Sequence, residues 1–188
     1  MAFSSSEGKE FFRDWLNHVG KALQFKRFLD IGCGAGWYGK IIREVFGPGV
    51  IVEGIDIFPE YVTRFELSKI YSTVFIVDVV ASCEDVKSDY DLITAGDVLE
   101  HLTKQDAIKV VNTLRKRCKF MWCALPIKMG RSWSTGYLQP DHEYVENPAN
   151  KHLHDWEGDE LIAEMRPLWL VPYIQTGTFL IEGDIKCL

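Results

Sequence analysis

A short apolar segment that leads into a glycine-rich loop and then a helix constrains this chain more than any other feature. Residues 26–31 end in Asp30-Ile31, residues 32–36 are Gly-Cys-Gly-Ala-Gly, and a helical pattern follows over 37–46. An apolar run of this length bounded by glycines is typical of a buried strand, so the segment predicts strand, tight turn and helix. Such a unit buries its strand only within a layered α/β fold.

The same alternation of strand and helix continues along the chain. Four further apolar runs predict strands, at residues 50–55, 73–77, 90–95 and 120–125. Amphipathic patterns predict helices, at residues 61–70 and 104–118. Residues 168–174 and 178–181 predict a closing antiparallel strand pair. The fold class is therefore α/β, a single domain with a doubly wound, mostly parallel, Rossmann-like sheet.

Composition limits the partners of this domain. The 188 residues include 21 Lys and Arg against 27 Asp and Glu, a net charge of −6. Such a surface on average repels phosphate backbones, so we do not expect nucleic acid as the main partner. The start lacks the features of a signal peptide, and no apolar run approaches a membrane span. We expect a cytoplasmic protein with no membrane partner, and the oligomeric state is left open.

Acids and glycines follow the predicted strands at the edge of the sheet where open parallel sheets bind ligands. These residues are Asp30, Gly32, Gly34, Gly36, Asp56, Asp78, Gly96 and Asp97. A glycine loop allows close approach of the backbone and offers amide donors at a helix start. An acid at the end of the next strand can hold both hydroxyls of a ribose. The pattern predicts a nucleoside-binding site.

Two placements of the strand end fit this pattern, and each predicts a different kind of nucleoside ligand. Residues 34–39 match the dinucleotide fingerprint GxGxxG, and Asp56 follows Gly34 at about the spacing that the fingerprint expects. In that register Asp30 would be an unpaired carboxylate within or near a dry strand, which is costly. Ending the strand at Asp30 instead points its carboxylate into the ligand crevice, where an ammonium group would pair with it.

Residues 28–36, Phe-Leu-Asp-Ile-Gly-Cys-Gly-Ala-Gly, resemble the first motif of class I S-adenosylmethionine-dependent methyltransferases. Residues 52–57 and 90–102 resemble the second-strand and fourth-strand motifs, so the resemblance spans 28–125. It implies S-adenosylmethionine as cofactor and assigns a part of it to each motif residue. The implied contacts are Asp30 with the methionine amino group, Gly32 and Gly34 with the methionine, Asp56 with the ribose, Asp78 with the adenine amine, and Ile57 and Val79 with the ring. Gly36 and Gly96 complete the expected cofactor set.

The resemblance also implies the reaction, which is transfer of a methyl group to an oxygen or nitrogen of a small-molecule acceptor. Residues 96–99, Gly-Asp-Val-Leu, depart from the Asn/Asp-Pro-Pro-aromatic motif of the branches that methylate amines of nucleobases or glutamine. That chemistry is therefore disfavoured. The alternative function is a non-catalytic S-adenosylmethionine-binding protein that serves as partner of an enzyme.

We divide the domain into an N-terminal helical part, a cofactor-binding core, a lid over the acceptor, and a closing helix end with the hairpin. These parts span 1–27, 28–125, 126–160 and 161–188. The lid prediction rests on residues 127–156, which are rich in Gly, Pro, Asn, His and aromatic residues and have no sustained period. Long connections of this kind commonly carry function.

Three histidines are candidate catalytic residues. An oxygen acceptor of high pKa needs a general base, and histidine suits that role near neutral pH. His101 follows the fourth strand, and His152 and His154 lie in the lid. The pair His152-x-His154 would also suit a metal, but a specific zinc site needs three or four convergent ligands and the spacing fixes no others. We therefore expect no metal.

Overall fold

The computed structural model describes residues 8–128, 149, 151–173 and 176–186 of the chain. The strands are β1 Arg27–Ile31, β2 Ile51–Asp56, β3 Thr73–Ile76, β4 Tyr90–Gly96, β5 Cys118–Leu125, β6 Ile127–Lys128, β7 Trp156–Glu157, β8 Trp169–Pro172 and β9 Gly177–Glu182. Seven of them form one sheet in the order β3-β2-β1-β4-β5-β9-β8. Neighbouring strands are parallel among the first five in this order, which are β3, β2, β1, β4 and β5. Strand β9 is antiparallel to both β5 and β8. The predicted Rossmann-like sheet with a closing antiparallel pair is confirmed.

Helices cover both faces of this sheet. They are α1 Lys9–Trp15, α2 Trp37–Phe46, α3 Glu60–Arg64, α4 Val79–Ser82, α5 Lys104–Leu114 and α6 Gly158–Met165. Side chains alternate across each strand, so Phe28 on β1 packs on the face that α1 and α2 cover, and Leu29 packs on the face of α5 and α6. Both side chains are fully buried. The two apolar clusters hold the sheet rigidly between the helices.

Four helices differ from the sequence prediction. The helix predicted over 61–70 is α3 followed by a 3₁₀ turn at Leu67–Lys69, because Glu66 between them adopts a left-handed φ of 50°. The helix predicted over 104–118 ends as α-helix at Leu114 and continues as a 3₁₀ turn. The four-residue α4 was not predicted. The N-terminal helix changes after Trp15 into a π-helical turn.

The connection predicted to be irregular has ordered ends. Ile127 and Lys128 in β6 pair in parallel with Trp156 and Glu157 in β7. Residues 129–148, where much of the predicted lid falls, lie outside the described residues. Within the described part of the chain, no helix is long and apolar enough to cross a bilayer.

Candidate functional site

A cavity of about 360 Å³ opens at the carboxyl ends of β1, β2 and β4. The order of the sheet reverses there, since β1 lies between β2 and β4, and this is the position where open α/β sheets bind ligands. The volume lies in the range of about 300–1,000 Å³ that is usual for small-molecule sites. The cavity therefore coincides with the site predicted from the strand ends.

The glycine loop after β1 forms one wall of this cavity. Gly32 and Gly34 line it and have left-handed φ angles of 62° and 48°. A Cβ on Gly32 would lie 2.5 Å from Val98 Cγ2 and would fill the loop. Gly96 at the end of β4 also lines the cavity, and a Cβ there would lie 1.9 Å from Tyr38 Cε2. At both positions a side chain of the protein occupies the place of a Cβ, so packing requires glycine there, while both residues also line the cavity.

Gly36 serves a different purpose from the other predicted glycines. It does not line the cavity, and its Cβ position lies 2.8 Å from Ile70 Cδ1. With a φ of 77°, Gly36 turns the loop into α2 and lets it pack against the 3₁₀ turn after α3. We therefore revise its expected role from ligand contact to packing.

Asp56 lies at the end of β2, beside the glycine loop. Its Oδ2 accepts a hydrogen bond from Gly34 N at 2.7 Å, and its Oδ1 accepts one from Phe58 N at 2.9 Å. Burial raises the pKa of this carboxyl, and the hydrogen bonds from the backbone oppose that rise. Each oxygen keeps further acceptor capacity at the cavity wall, which suits a pair of ribose hydroxyls.

The wall next to Asp56 is apolar. Ile57, which is 50% exposed, and Val79 both line the cavity. Asp78 lies between β3 and α4, and its Oδ1 accepts a hydrogen bond from Val80 N at 2.8 Å. Asp78 therefore caps α4, a helix that the sequence did not predict, and it also borders the cavity.

Asp30 does not reach the cavity. Its side chain is fully buried behind the loop, where Oδ2 accepts a hydrogen bond from Tyr71 OH at 2.5 Å and Oδ1 accepts one from Thr94 Oγ1 at 2.7 Å. Burial raises the pKa of Asp30 to about 6, against the influence of these two hydroxyls. We therefore revise the expected role of Asp30 from contact with an ammonium group to a structural one. Asp30 ties β1 to β4 and to Tyr71 below the glycine loop.

A polar cluster forms the opposite end of the same cavity. Glu100, His101 and His152 each offer a side-chain ligand atom, and these atoms all lie within 4.8 Å of one another. The rings of His101 and His152 have centroids 4.9 Å apart. All three residues line the cavity. Two of the three predicted catalytic histidines are therefore brought together, next to a carboxylate that the sequence analysis did not select.

The electrostatics of this cluster follow from its burial. Glu100 is 2% exposed, and both burial and the charge of Asp97 raise its pKa well above the ordinary value. Burial also lowers the pKa of His152. Both shifts favour neutral side chains in the absence of a compensating charge.

His154, the third predicted catalytic histidine, lies outside the cavity lining. Its Nε2 lies 3.1 Å from Glu160 Oε2, and its ring packs edge-on against Trp156. Glu160 in turn pairs with Lys104 at 2.9 Å. His154 therefore anchors the segment before β7 to α5 and α6, and we revise its expected role from catalysis to structure.

The charge of the cavity selects its ligand. Besides Glu100, four aspartates line it, at Asp56, Asp78, Asp97 and Asp106. Among the described residues, no lysine or arginine lines it. Such a lining attracts a cationic ligand and repels an anionic one.

The comparisons with known proteins agree with this geometry. A family model described as a methyltransferase domain matches residues 29–119. The ubiquinone biosynthesis O-methyltransferase of Bordetella avium is 25% identical over 99 residues, which are 50% of this chain and 40% of that protein. The protein of the same name from Hydrogenovibrio crunogenus is 26% identical over 172 residues, 87% of this chain and 66% of that protein. The N-terminal domain of EvdMO1 with SAH bound has a TM-score of 0.65 at 14% identity, over 97% of this chain and 83% of that chain. Residues 29–119 are therefore similar to a methyltransferase domain, and the chain shares the fold of this solved structure.

The neighbour EvdMO1 was crystallised with SAH, the product that S-adenosylmethionine leaves after methyl transfer. The acidic cavity of this chain fits the positive sulfonium and ammonium groups of S-adenosylmethionine. A nicotinamide dinucleotide would instead bring a diphosphate to a wall of carboxylates, so the alternative from the GxGxxG match is disfavoured. The chain spans less than half the length of the Bordetella relative.

Several residues that line the cavity were not among the cofactor contacts or catalytic residues expected from the sequence. Glu100 had a visible signal, since it directly precedes His101 at the end of the fourth-strand motif. Asp97 lies earlier in the same motif, with a left-handed φ of 53° and its N–H donating to Ala124 O at 2.7 Å. Trp37 at the start of α2 had no signal, because an aromatic residue there equally suits helix packing.

Proposed function

We propose that this chain is an enzyme that transfers a methyl group from S-adenosylmethionine to an oxygen or nitrogen of a small-molecule acceptor. The observation that carries the proposal is the continuity of one cavity. It joins the glycine loop and Asp56 at one end to Glu100, His101 and His152 at the other. A cofactor half and a polar half that can orient an acceptor and promote its deprotonation within one cavity suit methyl transfer to a hydroxyl or amine.

The cofactor half divides by chemistry. Gly32, Gly34 and Gly96 leave room for the methionine, and Asp56 accepts hydrogen bonds from the ribose hydroxyls. Ile57 and Val79 flank the adenine ring, and Asp78 lies near its amino group. When bound, the cofactor supplies an electrophilic methyl group on a sulfonium. The carboxylates around it favour that positive charge.

The acceptor half determines which atom is methylated. His101 and His152 border the space into which an acceptor would enter, and Leu153 adds an apolar wall. The name of the Bordetella relative, ubiquinone biosynthesis O-methyltransferase, favours an oxygen acceptor. We keep residues 126–160 as the proposed acceptor lid. A cytoplasmic location also stays a prediction from the sequence.

A turnover assay tests this function. The full chain is incubated with S-adenosylmethionine and a panel of small phenols, alcohols and amines, and the formation of S-adenosylhomocysteine is measured by mass spectrometry. We expect at least one acceptor to raise product above the acceptor-free background, and Asp56→Ala to reduce that rise when S-adenosylmethionine is not saturating. If the cofactor binds and no acceptor in the panel is methylated, the alternative of a non-catalytic binding partner is favoured.

A further inference from the structure

Glu100, His101 and His152 come from two separate parts of the chain. Glu100 and His101 belong to a 3₁₀ turn, Leu99–His101, that follows β4, and His152 lies before β7. Their ligand atoms nevertheless lie within 4.8 Å of one another, at the wall of the cofactor cavity. Two imidazole nitrogens and one carboxylate oxygen thus converge on one point.

The backbone holds this arrangement independently of the three side chains. The carbonyl oxygen of Glu100 accepts hydrogen bonds from Leu153 N at 2.8 Å and from His154 N at 3.2 Å. The contact of His154 with Glu160 also holds this segment in place, on the C-terminal side of His152. The position of His152 therefore does not depend on a contact between its own ring and the cluster.

A second observation points to a ligand. Oε2 of Glu100 is buried and has no hydrogen-bond partner among the residues that the structure describes. A buried carboxylate oxygen without a partner is costly, and proteins usually satisfy such atoms with a donor, a water or an ion. A cation between the three side chains would compensate this oxygen.

We propose that Glu100, His101 and His152 bind a divalent first-row transition ion, of the kind represented by Zn²⁺ and Mn²⁺. Imidazole and carboxylate together suit these ions, whereas Mg²⁺ prefers oxygen ligands and waters. Three protein ligands with further coordination positions open are typical of catalytic metal sites rather than structural ones. The expectation of no metal rested on the spacing of His152 and His154. The folded chain pairs His152 with His101 and Glu100 instead.

The position of this site gives the ion a function that rests on the proposed methyl transfer. An acceptor hydroxyl that ligates the ion becomes more acidic, so it loses its proton to solvent water near neutral pH. A lone pair of that oxygen forms the bond to the methyl carbon. The bond from carbon to sulfur breaks, and its electron pair stays on sulfur to give the neutral thioether. Acceptors with an acidic hydroxyl, or two adjacent hydroxyls that chelate the ion, are therefore the favoured class.

Metal binding is tested on the full chain without reference to turnover. Protein treated with chelator and then desalted is titrated by calorimetry with Zn²⁺, Mn²⁺ or Mg²⁺ separately. We expect one equivalent of Zn²⁺ or Mn²⁺ to bind more tightly than Mg²⁺. Glu100→Gln and His152→Ala should each weaken binding by more than the roughly 10- to 100-fold that loss of an outer-shell partner costs. His18→Ala, on the exposed face of the N-terminal helix, is the matched control and should bind as wild type.

Wild-type binding no tighter than nonspecific surface binding, or unchanged binding in both ligand variants, would overturn the proposal. Crystals of the wild-type protein soaked in Zn²⁺ provide a measurement that depends on no variant. An anomalous peak between the three side chains supports the site, and a peak elsewhere or none contradicts it.

Chelation during turnover separates this proposal from the proposed function. If turnover continues undiminished in chelator, the catalytic role of the ion is wrong and methyl transfer stands. If the ion binds at the site but no acceptor in the panel is methylated with the ion present, the metal site stands and the proposed function fails.

Discussion

The revised role of Asp30 leads to a prediction about stability that a ligand-binding role does not make. Asp30 is fully buried, and its pKa of about 6 is higher than the ordinary value of 3.8. A carboxyl whose pKa is raised in the folded state binds its proton more tightly there. Its favourable contribution is present at low pH and is lost as pH rises through about 6.

The magnitude follows from the two pKa values. Each pKa unit is worth about 1.36 kcal/mol, so ionised Asp30 costs on the order of 3 kcal/mol of stability at pH 8 and about half of that at pH 5. Asp30→Asn keeps the shape and removes the titration. One of the two hydroxyls, on Tyr71 or Thr94, turns to accept from the new amide. The variant should therefore be more stable than wild type, by a margin that grows with pH.

Urea unfolding at pH 5 and at pH 8 measures this margin, and calorimetric titration with S-adenosylhomocysteine on the same samples measures ligand affinity. Asp85→Asn, at an exposed carboxylate, is the control and should show no such trend. A difference in stability that does not widen between pH 5 and pH 8 would refute the raised pKa that we attribute to the burial of Asp30. A loss of affinity greater than about tenfold, or 1.4 kcal/mol, would return Asp30 to the methionine amino group, as the sequence resemblance implied.

Three further predictions concern the cavity. Asp56→Ala should weaken S-adenosylhomocysteine binding by roughly 1–3 kcal/mol in a calorimetric titration, since the ribose hydroxyls lose a charged acceptor, and an unchanged affinity would remove Asp56 from the site. Gly96→Ala should lower both the melting temperature and the affinity, because the new Cβ would lie 1.9 Å from the Tyr38 ring; wild-type values for both would contradict the close packing. His152→Ala should reduce turnover by about 10²-fold or more with nearly intact cofactor affinity. His154→Ala should instead lower the melting temperature and keep most of the turnover, and the reverse pattern would show that the two histidines have exchanged roles.

The local parts of this fold were predictable from sequence. A strand, a glycine loop and a helix occupy one stretch of chain, so the apolar pattern and the glycines over 27–46 are enough to define them. The break between α3 and its 3₁₀ turn was not predictable, because Glu66 gives no sign of its left-handed φ. The helix α4 is too short to show a period, and only its Asp78 cap indicates its start.

Within the site, residues at strand ends were predictable and contacts across the chain were not. Asp56 follows from the end of β2 and the parallel direction of the sheet. The hydrogen bond of Asp30 was not predictable, because its partner Tyr71 is remote in sequence. The meeting of His101 and His152 depends on backbone hydrogen bonds to Glu100, which leave no pattern in the residues themselves.

The central claim is that the cavity at the reversal of strand order binds S-adenosylmethionine through the glycine loop and Asp56. Calorimetric titration of the full wild-type chain with S-adenosylhomocysteine, and separately with NAD, tests it most directly. We predict one-to-one binding of S-adenosylhomocysteine and no heat of binding with NAD. Binding of NAD without binding of S-adenosylhomocysteine would contradict both the charge of the cavity and the assignment of its walls.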